Sequence, residues 1–327
     1  MTSTKYWAAV NAAIAEEMER DESIFFVGQD IGAAGGPFGA TRGLMDRFGP
    51  DRVRDTPISE QAMVALGTGA AMTGTRPIVE IMYMDFALLA LDQLVNQAAK
   101  MRFMSGGHYR VPLTVVTMVA AHTESGPQHS QSFETWLGQV PGLNVVWPSN
   151  AADAKGLLKT AIRSDDPVVF IESLSAWRTT ADVPEGEVVI PIGVARVARP
   201  GSDVTIVAVG GAVAIAERGA DQLAERGLSA EVIDLRSVSP LDETTVISSV
   251  RKTGALLVVQ EGPSPFGIGD RVVSVVCRND PRLLRVRPII LAPPFSPTPF
   301  APDLERSFYP GPHDVVKAVE TMTGALQ

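Results

Sequence analysis

Two short clusters in this 327-residue chain carry proton-exchanging groups in settings that packing alone would not require. The first is Arg54-Asp55-Thr56-Pro57-Ile58-Ser59-Glu60, which leads into an Ala/Gly-rich run from Met63 to Gly74. Glu60 opens a helix behind a Pro-Ile-Ser turn. One account is a first-turn carboxylate favoured by the helix macrodipole and doing nothing else. The other is a buried acid that exchanges a proton with a ligand, while Gly67, Gly69 and Gly74 thin the helix surface so that a planar ligand or another helix can approach the backbone. The second cluster is Gln128-His129-Ser130-Gln131. Its polar neighbours are unlike those of a core histidine. Polar satisfaction or capping would explain it, and so would proton transfer, since imidazoles titrate near neutrality. Phe86, after Asp85, reads either as core or as a ring that stacks on a planar ligand, and periodicity does not separate the two. His122 and Glu124 form a second polar pair that nothing distinguishes from a solvated loop.

Several other chemistries are excluded. Gly32-Ala33-Ala34-Gly35-Gly36 follows a strand but lacks the G-x-G-x-x-G spacing of a dinucleotide site. Neither a G-x-S-x-G elbow nor a G-K-[ST] phosphate loop occurs. Four histidines and one cysteine give no zinc spacing, and no metal ligands are predicted. Gly267-Ile268-Gly269-Asp270 looks like the opening of a Gly-Asp-Gly…Asn diphosphate–magnesium motif, but Asn279 lies too close to complete it. The chain therefore lacks its own means of holding a diphosphate and Mg²⁺.

The elements that must position these residues alternate in the βα manner. Trp7, Val10, Ile14 and Met18 predict an amphipathic helix over 4–20, and 24–28 reads as a buried strand. Strands follow at 76–82, 112–119, 143–147 and 167–171. A long helix is predicted over 85–104, and a helix over 151–163 carries a capping box at Asn150 and Asp153. Residues 179–191 turn acidic and Pro/Gly-containing, as linkers do. A second cycle then places strands at 204–209, 230–235, 255–260 and 287–291, with helices at 212–226, 241–251 and 269–278. The expectation is α/β with two doubly wound domains, 1–186 and 187–327. With 45% hydrophobic and 20% charged residues the chain is globular, and a net charge of −9 argues against nucleic acid or an anionic membrane as partner. Cys277, in an apolar run, reads as a buried structural thiol. The N-terminus lacks a secretory apolar region, and no span of about 20 apolar residues occurs, so a cytoplasmic location is expected.

An ordered series of motifs resembles one family along essentially the whole chain. It comprises Asp55-Thr56-Pro57-Ile58-Ser59-Glu60, Leu91-Asp92-Gln93, Asn96-Gln97-Ala98-Ala99-Lys100, Gln128-His129-Ser130-Gln131, Pro141-Gly142-Leu143, Asp153-Ala154-Lys155-Gly156-Leu157-Leu158, Val232-Ile233-Asp234-Leu235-Arg236 and Pro240-Leu241-Asp242. The chain resembles the β subunit of the E1 component of thiamine diphosphate-dependent 2-oxo acid dehydrogenases. Met84-Asp85-Phe86, Thr117-Met118-Val119, Ala292-Pro293-Pro294 and Thr298-Pro299-Phe300 tilt it toward acetoin dehydrogenase.

The resemblance implies a thiamine diphosphate pyrimidine-binding domain followed by a transketolase C-terminal-like domain. It implies an α subunit that holds Mg²⁺ and the diphosphate in an α₂β₂ heterotetramer, a lipoyl E2 component, and a K⁺ site of backbone carbonyls near strand ends of the first domain. By resemblance Glu60 is the partner of the aminopyrimidine N1′, Phe86 packs on the pyrimidine, and His129 serves proton transfer at the substrate and lipoyl end. The implied reaction cleaves the C–C bond next to a carbonyl and passes the acyl unit to a lipoyl acceptor. Two departures stand out. Gln29, also a cofactor-binding position, replaces the family's usual Glu and cannot ionise, and the loop from Ala120 to Pro127 departs from the Gly-rich stretch expected there. A carboligase on the same scaffold is the alternative these departures raise; a non-catalytic binding subunit is a further one.

Overall fold

Apolar strands flanked by amphipathic helices need parallel sheets covered on both faces, and the chain folds into two compact units of this kind. The structure, a computed structural model, describes residues 1–324. The first unit comprises residues 1–119 and 136–192, and the second residues 120–135 and 193 onward.

The first unit runs β1 (Thr2–Lys5), α1 (Tyr6–Arg20), β2 (Ile24–Gly28), α2 (Leu44–Phe48), β3 (Val53–Asp55), α3 (Glu60–Met72) and β4 (Arg76–Ile81). It continues with α4 (Ala99–Met104), β5 (Thr114–Val119), α5 (Glu134–Gly138), β6 (Asn144–Val146), α6 (Ala151–Arg163), β7 (Val168–Ser173) and β8 (Thr180–Val183). Six strands lie parallel in the order β6-β7-β5-β4-β2-β3. Helix α3 buries Glu60, Met63, Val64, Gly67, Thr68 and Ala71, a stripe at helical spacing. At Gly67 the Val79 and Leu113 side chains fill the space a side chain would need, whereas Gly69 faces open space. Helix α6 starts where Asn150 Oδ1 accepts the Asp153 amide at 3.0 Å, as its capping pattern predicts.

Three expectations change. The predicted long helix over 85–104 is a 3₁₀ turn at Met84–Ala90, a π-helical stretch at Gln93–Ala98, and then α4. The Ala99 amide donates to the Leu94 carbonyl five residues back. Buried Ala87, Ala90, Leu94 and Ala98 satisfy all three pitches, so apolar spacing does not report the change. Part of the expected linker is β8, paired antiparallel with β1 from Thr2↔Val183 to Lys5↔Thr180.

The second unit contains β9 (Arg196–Arg199), β10 (Val204–Ala208), α7 (Ala212–Ala224), β11 (Ala230–Asp234), β12 (Ser237–Ser239), α8 (Glu243–Thr253), β13 (Leu256–Val259), α9 (Ile268–Asn279), β14 (Ile289–Leu291), α10 (Pro302–Phe308) and α11 (Pro312–Gly324). Its sheet has the order β14-β13-β10-β11-β9, parallel except for the edge strand β9. Here lies the third correction, because Cys277 is exposed. The stripe that α9 buries is Ile268, Val272, Val275 and Val276, and the next position turns outward. Residues 120–135 pack within this unit: the Glu124 amide donates to Glu305 Oε2 at 2.9 Å, and the His122 ring lies 4.4 Å from that of Tyr309. Among the described residues no helix is long and apolar enough to cross a membrane.

Gly142 closes the turn before β6 at φ +93°, and a Cβ there would collide with the Ala99 carbonyl oxygen. Gly142→Ala should destabilise the chain by about 3 kcal/mol or more, read by urea denaturation. A loss below about 1 kcal/mol would mean the turn is not held as described.

Candidate active site

The parallel register of β2 and β3 pairs Gly28 with Asp55, so the two chain segments leave the sheet side by side. The Thr56 amide donates to the Gly28 carbonyl at 2.9 Å, and the Gly32 amide to Asp55 Oδ1 at 2.7 Å. These bonds fix the turn Thr56–Ser59 and aim the first residue of α3 back across the end of β2. Gln29 Nε2 then donates to Glu60 Oε1 at 3.0 Å. Glu60 is 3% and Gln29 7% exposed. Among the described residues this is the carboxylate's one hydrogen bond, and it leaves Oε2 available to a ligand. The position at the start of α3 adds the favourable end of the helix dipole.

Phe86 is half-buried in the 3₁₀ turn after β4. It meets Tyr83 edge-on at 6.1 Å, and Phe38 continues the aromatic series with Tyr83 at 5.7 Å and Trp177 at 6.1 Å. Burial, followed by the charge of Asp85, raises the Tyr83 phenol above its ordinary range. His129 belongs to the second unit, half-buried in the segment 120–135, with its amide bonded to the Gly126 carbonyl. Of the residues singled out by sequence, then, Gln29 and Glu60 are in direct contact. His122 lies beside Glu261, with Nε2 3.7 Å from Oε1, and Glu124 turns its amide to Glu305. Gly267 and Gly269 pack against the Gln260 side-chain amide, while Asp270 accepts the Phe266 amide at 2.8 Å. That segment is a helix start with its polar groups engaged.

Sequence reading missed an acidic pair. Glu80 on β4 and Glu172 on β7 each interrupt an otherwise apolar strand near its end, which is the signal that could have found them. Glu80 reaches the surface in part, but its carboxyl group lies against the Gly28 backbone, 3.2 Å from where a Cβ would stand. Burial pushes it up to about 8. Glu172 is 3% exposed, its Oε1 has no hydrogen-bond partner among the described residues, and burial followed by the charge of Glu80 holds its carboxyl well above the usual range.

The residues fit half of a cofactor site. A buried carboxylate with one oxygen anchored and one free suits a protonated ring nitrogen. Among the described residues no group of three or more His, Cys, Asp or Glu could hold a metal ion.

Comparison with known proteins identifies the family. The family model "Transketolase, pyrimidine binding domain" matches residues 2–179, and "Transketolase, C-terminal domain" matches residues 193–315. The pyruvate dehydrogenase E1 component subunit beta-1 of Oryza sativa subsp. japonica is 40% identical over 95% of this chain and 84% of its own length. In Bacillus subtilis (strain 168), the acetoin:2,6-dichlorophenolindophenol oxidoreductase subunit beta is 40% identical over 97% of this chain and 96% of its own. The 2-oxoisovalerate dehydrogenase subunit beta of the same organism is 40% identical over 98% and 99%. A solved split-gene transketolase, described as an inactive beta4 tetramer, superposes with a TM-score of 0.79 over 96% of each chain at 22% identity, which is a likeness of fold. The chain belongs to the family of E1 beta subunits of thiamine diphosphate-dependent 2-oxo acid dehydrogenases, built from transketolase pyrimidine-binding and C-terminal domains.

The acidic pair gives stability a pH slope. An unfolded glutamate loses its proton near 4.5, but folded Glu80 keeps it to about 8. Between those values the folded chain binds more protons than the unfolded one, so stability falls as pH rises through this window. Glu80→Gln should leave the melting temperature nearly unchanged at about pH 5 and raise it at about pH 8.5. Equal shifts at both pH values, by calorimetry, would refute the assignment.

Proposed function

We propose that this chain supplies the aminopyrimidine half of a thiamine diphosphate site completed by an E1 alpha subunit in an α₂β₂ heterotetramer. In this reading the acyl unit released by C–C cleavage next to a carbonyl passes to the lipoyl group of an E2 component. The observation that carries it is Glu60, buried at the start of α3 with Oε1 held by Gln29. Thiamine diphosphate, when bound, supplies the carbanion chemistry that a protein side chain cannot.

The chain's own residues control position and protons. Glu60 Oε2 shares a proton with the N1′ nitrogen, and the Gln29 amide fixes the rotamer that presents it. Gln29 is neutral at every working pH, so it orients without competing for the proton. The Phe86 ring bounds the pyrimidine on one side. His129 moves a second proton at the substrate and lipoyl end, where an imidazole can serve as general acid or base. In this reading Mg²⁺ and the diphosphate belong to the alpha chain. K⁺, if it binds, takes backbone carbonyls near the strand ends of the first domain. The division of labour follows the two halves 1–186 and 187–327. Relatives named for pyruvate, acetoin and 2-oxoisovalerate all match at 40% identity, so overall similarity does not select the substrate.

Glu60→Gln, reconstituted with the alpha subunit, should lower turnover at least about 100-fold while the complex still assembles. More than about a tenth of wild-type activity would remove the proton role from Glu60. A complex purified on a tag on this chain should contain, in equal amount, a second chain bearing a Gly-Asp-Gly…Asn motif. A homodimer of this chain that binds no thiamine diphosphate, by native mass spectrometry, would overturn the shared-site reading.

A further inference from the structure

The second unit holds a buried acid that the proposed reaction does not use. Glu261 lies two residues past β13, at the carboxyl end of its sheet. From β10 the chain goes to β11 on one side and later returns to β13 on the other. This is the sheet's topological switch point, where diverging connections open a crevice that α/β proteins use for ligands. The segment after β14 and the loop around Ser130 enclose a cavity of about 340 Å³ there, in the size range of small-molecule sites.

The lining is mostly apolar, with Pro263, Pro293, Pro297, Phe133 and Phe308 among the walls, and contains no lysine or arginine. Two of its polar side chains are almost wholly buried, Glu261 at 6% and Ser130 at 4% exposure. Among the described residues neither oxygen of Glu261 nor the Ser130 hydroxyl makes a well-formed hydrogen bond, although the backbone amide of Gly211 lies near enough to Glu261 to pull on it weakly. His122 Nε2, 3.7 Å from Glu261 Oε1, stands beyond bonding range. Leaving such groups unsatisfied costs roughly 1–3 kcal/mol each, which a fitting ligand would recover.

The charges around Glu261 select the ligand. Burial, and next the Glu134 carboxylate, push Glu261 up to about 8, against a smaller pull from the Gly211 amide. Glu134 is itself raised by burial and is bonded by Ser132 at 2.5 Å. Burial and the charge of Arg218 push His122 down to about 4, so it is neutral, and Tyr309 covers its ring. Glu305 turns one oxygen to the Glu124 amide. At neutral pH the floor is therefore a carboxylic acid with a donor and an acceptor, next to a hydroxyl. An anion would find no counter-charge in the lining, and a cation would first have to displace the Glu261 proton.

We propose that this cavity binds a small uncharged molecule carrying a hydroxyl or carbonyl oxygen on an apolar body, with Glu261 and Ser130 making its hydrogen bonds. The cavity is lined by residues of the second unit, and its proposal does not depend on the thiamine diphosphate reading. Direct binding tests it without reference to turnover. The full chain is titrated with 2,3-butanediol, butyrate and butylammonium as probes, followed by saturation-transfer NMR and calorimetry. Saturable binding of the diol is expected, weakened at least about tenfold (about 1.4 kcal/mol) by Ser130→Ala and by Glu261→Leu. Glu261→Gln keeps a donor and an acceptor, so it should retain binding but lose the weakening that wild type shows above about pH 8. Tighter binding of butyrate or butylammonium would overturn the proposal. So would no saturable diol binding up to about 50 mM, or diol binding as tight in both Ser130→Ala and Glu261→Leu as in wild type.

Discussion

The hydrogen bond from Gln29 to Glu60 is the contact on which the candidate site depends. It exists because β2 and β3 run parallel with Gly28 opposite Asp55, so the residue after one strand lies beside the helix that follows the other. The Thr56 amide on the Gly28 carbonyl removes the remaining freedom of the turn. A carboxylate buried this deeply needs a donor, and an amide supplies one without adding charge. A second carboxylate at position 29 would have to share a proton with Glu60, and the two would titrate as a coupled pair. Gln29 separates anchoring from proton storage.

Acids recur where parallel strands of these sheets end. Glu80 and Glu172 are the next-to-last residues of β4 and β7, and Glu261 lies two residues past β13. A strand covered on both faces leaves its last side chains among helices and loops, out of water, so a carboxyl group there is pushed toward its neutral form. The three acids share this cause but differ in surroundings. Glu80 and Glu172 face each other's charge inside the first unit, whereas Glu261 borders a cavity. A neutral acid against closed packing is a stability term, and one against open space is a hydrogen-bonding group without a partner.

Much of this was legible in the sequence, for identifiable reasons. Strand 24–28 and helix 151–163 appear at their expected bounds because apolar runs and the Asn150 cap act locally. The pitch changes between Met84 and Met104 were not legible, since the buried positions fit 3₁₀, α and π spacing alike. Cys277 was misread because a run of valines suggests all-round burial, while one face of α9 is open to solvent. Glu60 and Gln29 stand out individually, but their contact depends on strand register, which pairs residues far apart in sequence. The grouping of 120–135 with the second unit likewise arises from long-range contacts such as Glu124 to Glu305.

The same electrostatics argue that this chain should not complete a diphosphate site by itself. It carries a net charge of −9, and the strand ends of its first unit already hold Glu60, Glu80 and Glu172 in low-dielectric surroundings. Bringing a diphosphate to those strand ends would add negative charge where screening is weakest, among acids whose own charge burial already disfavours. In the proposed reading, a cation and oriented donors from another chain would answer that cost at the diphosphate end and leave the pyrimidine end to a carboxylate. The ring nitrogen needs an acid–base partner and the diphosphate needs positive charge. Dividing the cofactor between two chains keeps these opposed requirements apart, so each chain can bury charge of the sign its own end of the ligand calls for.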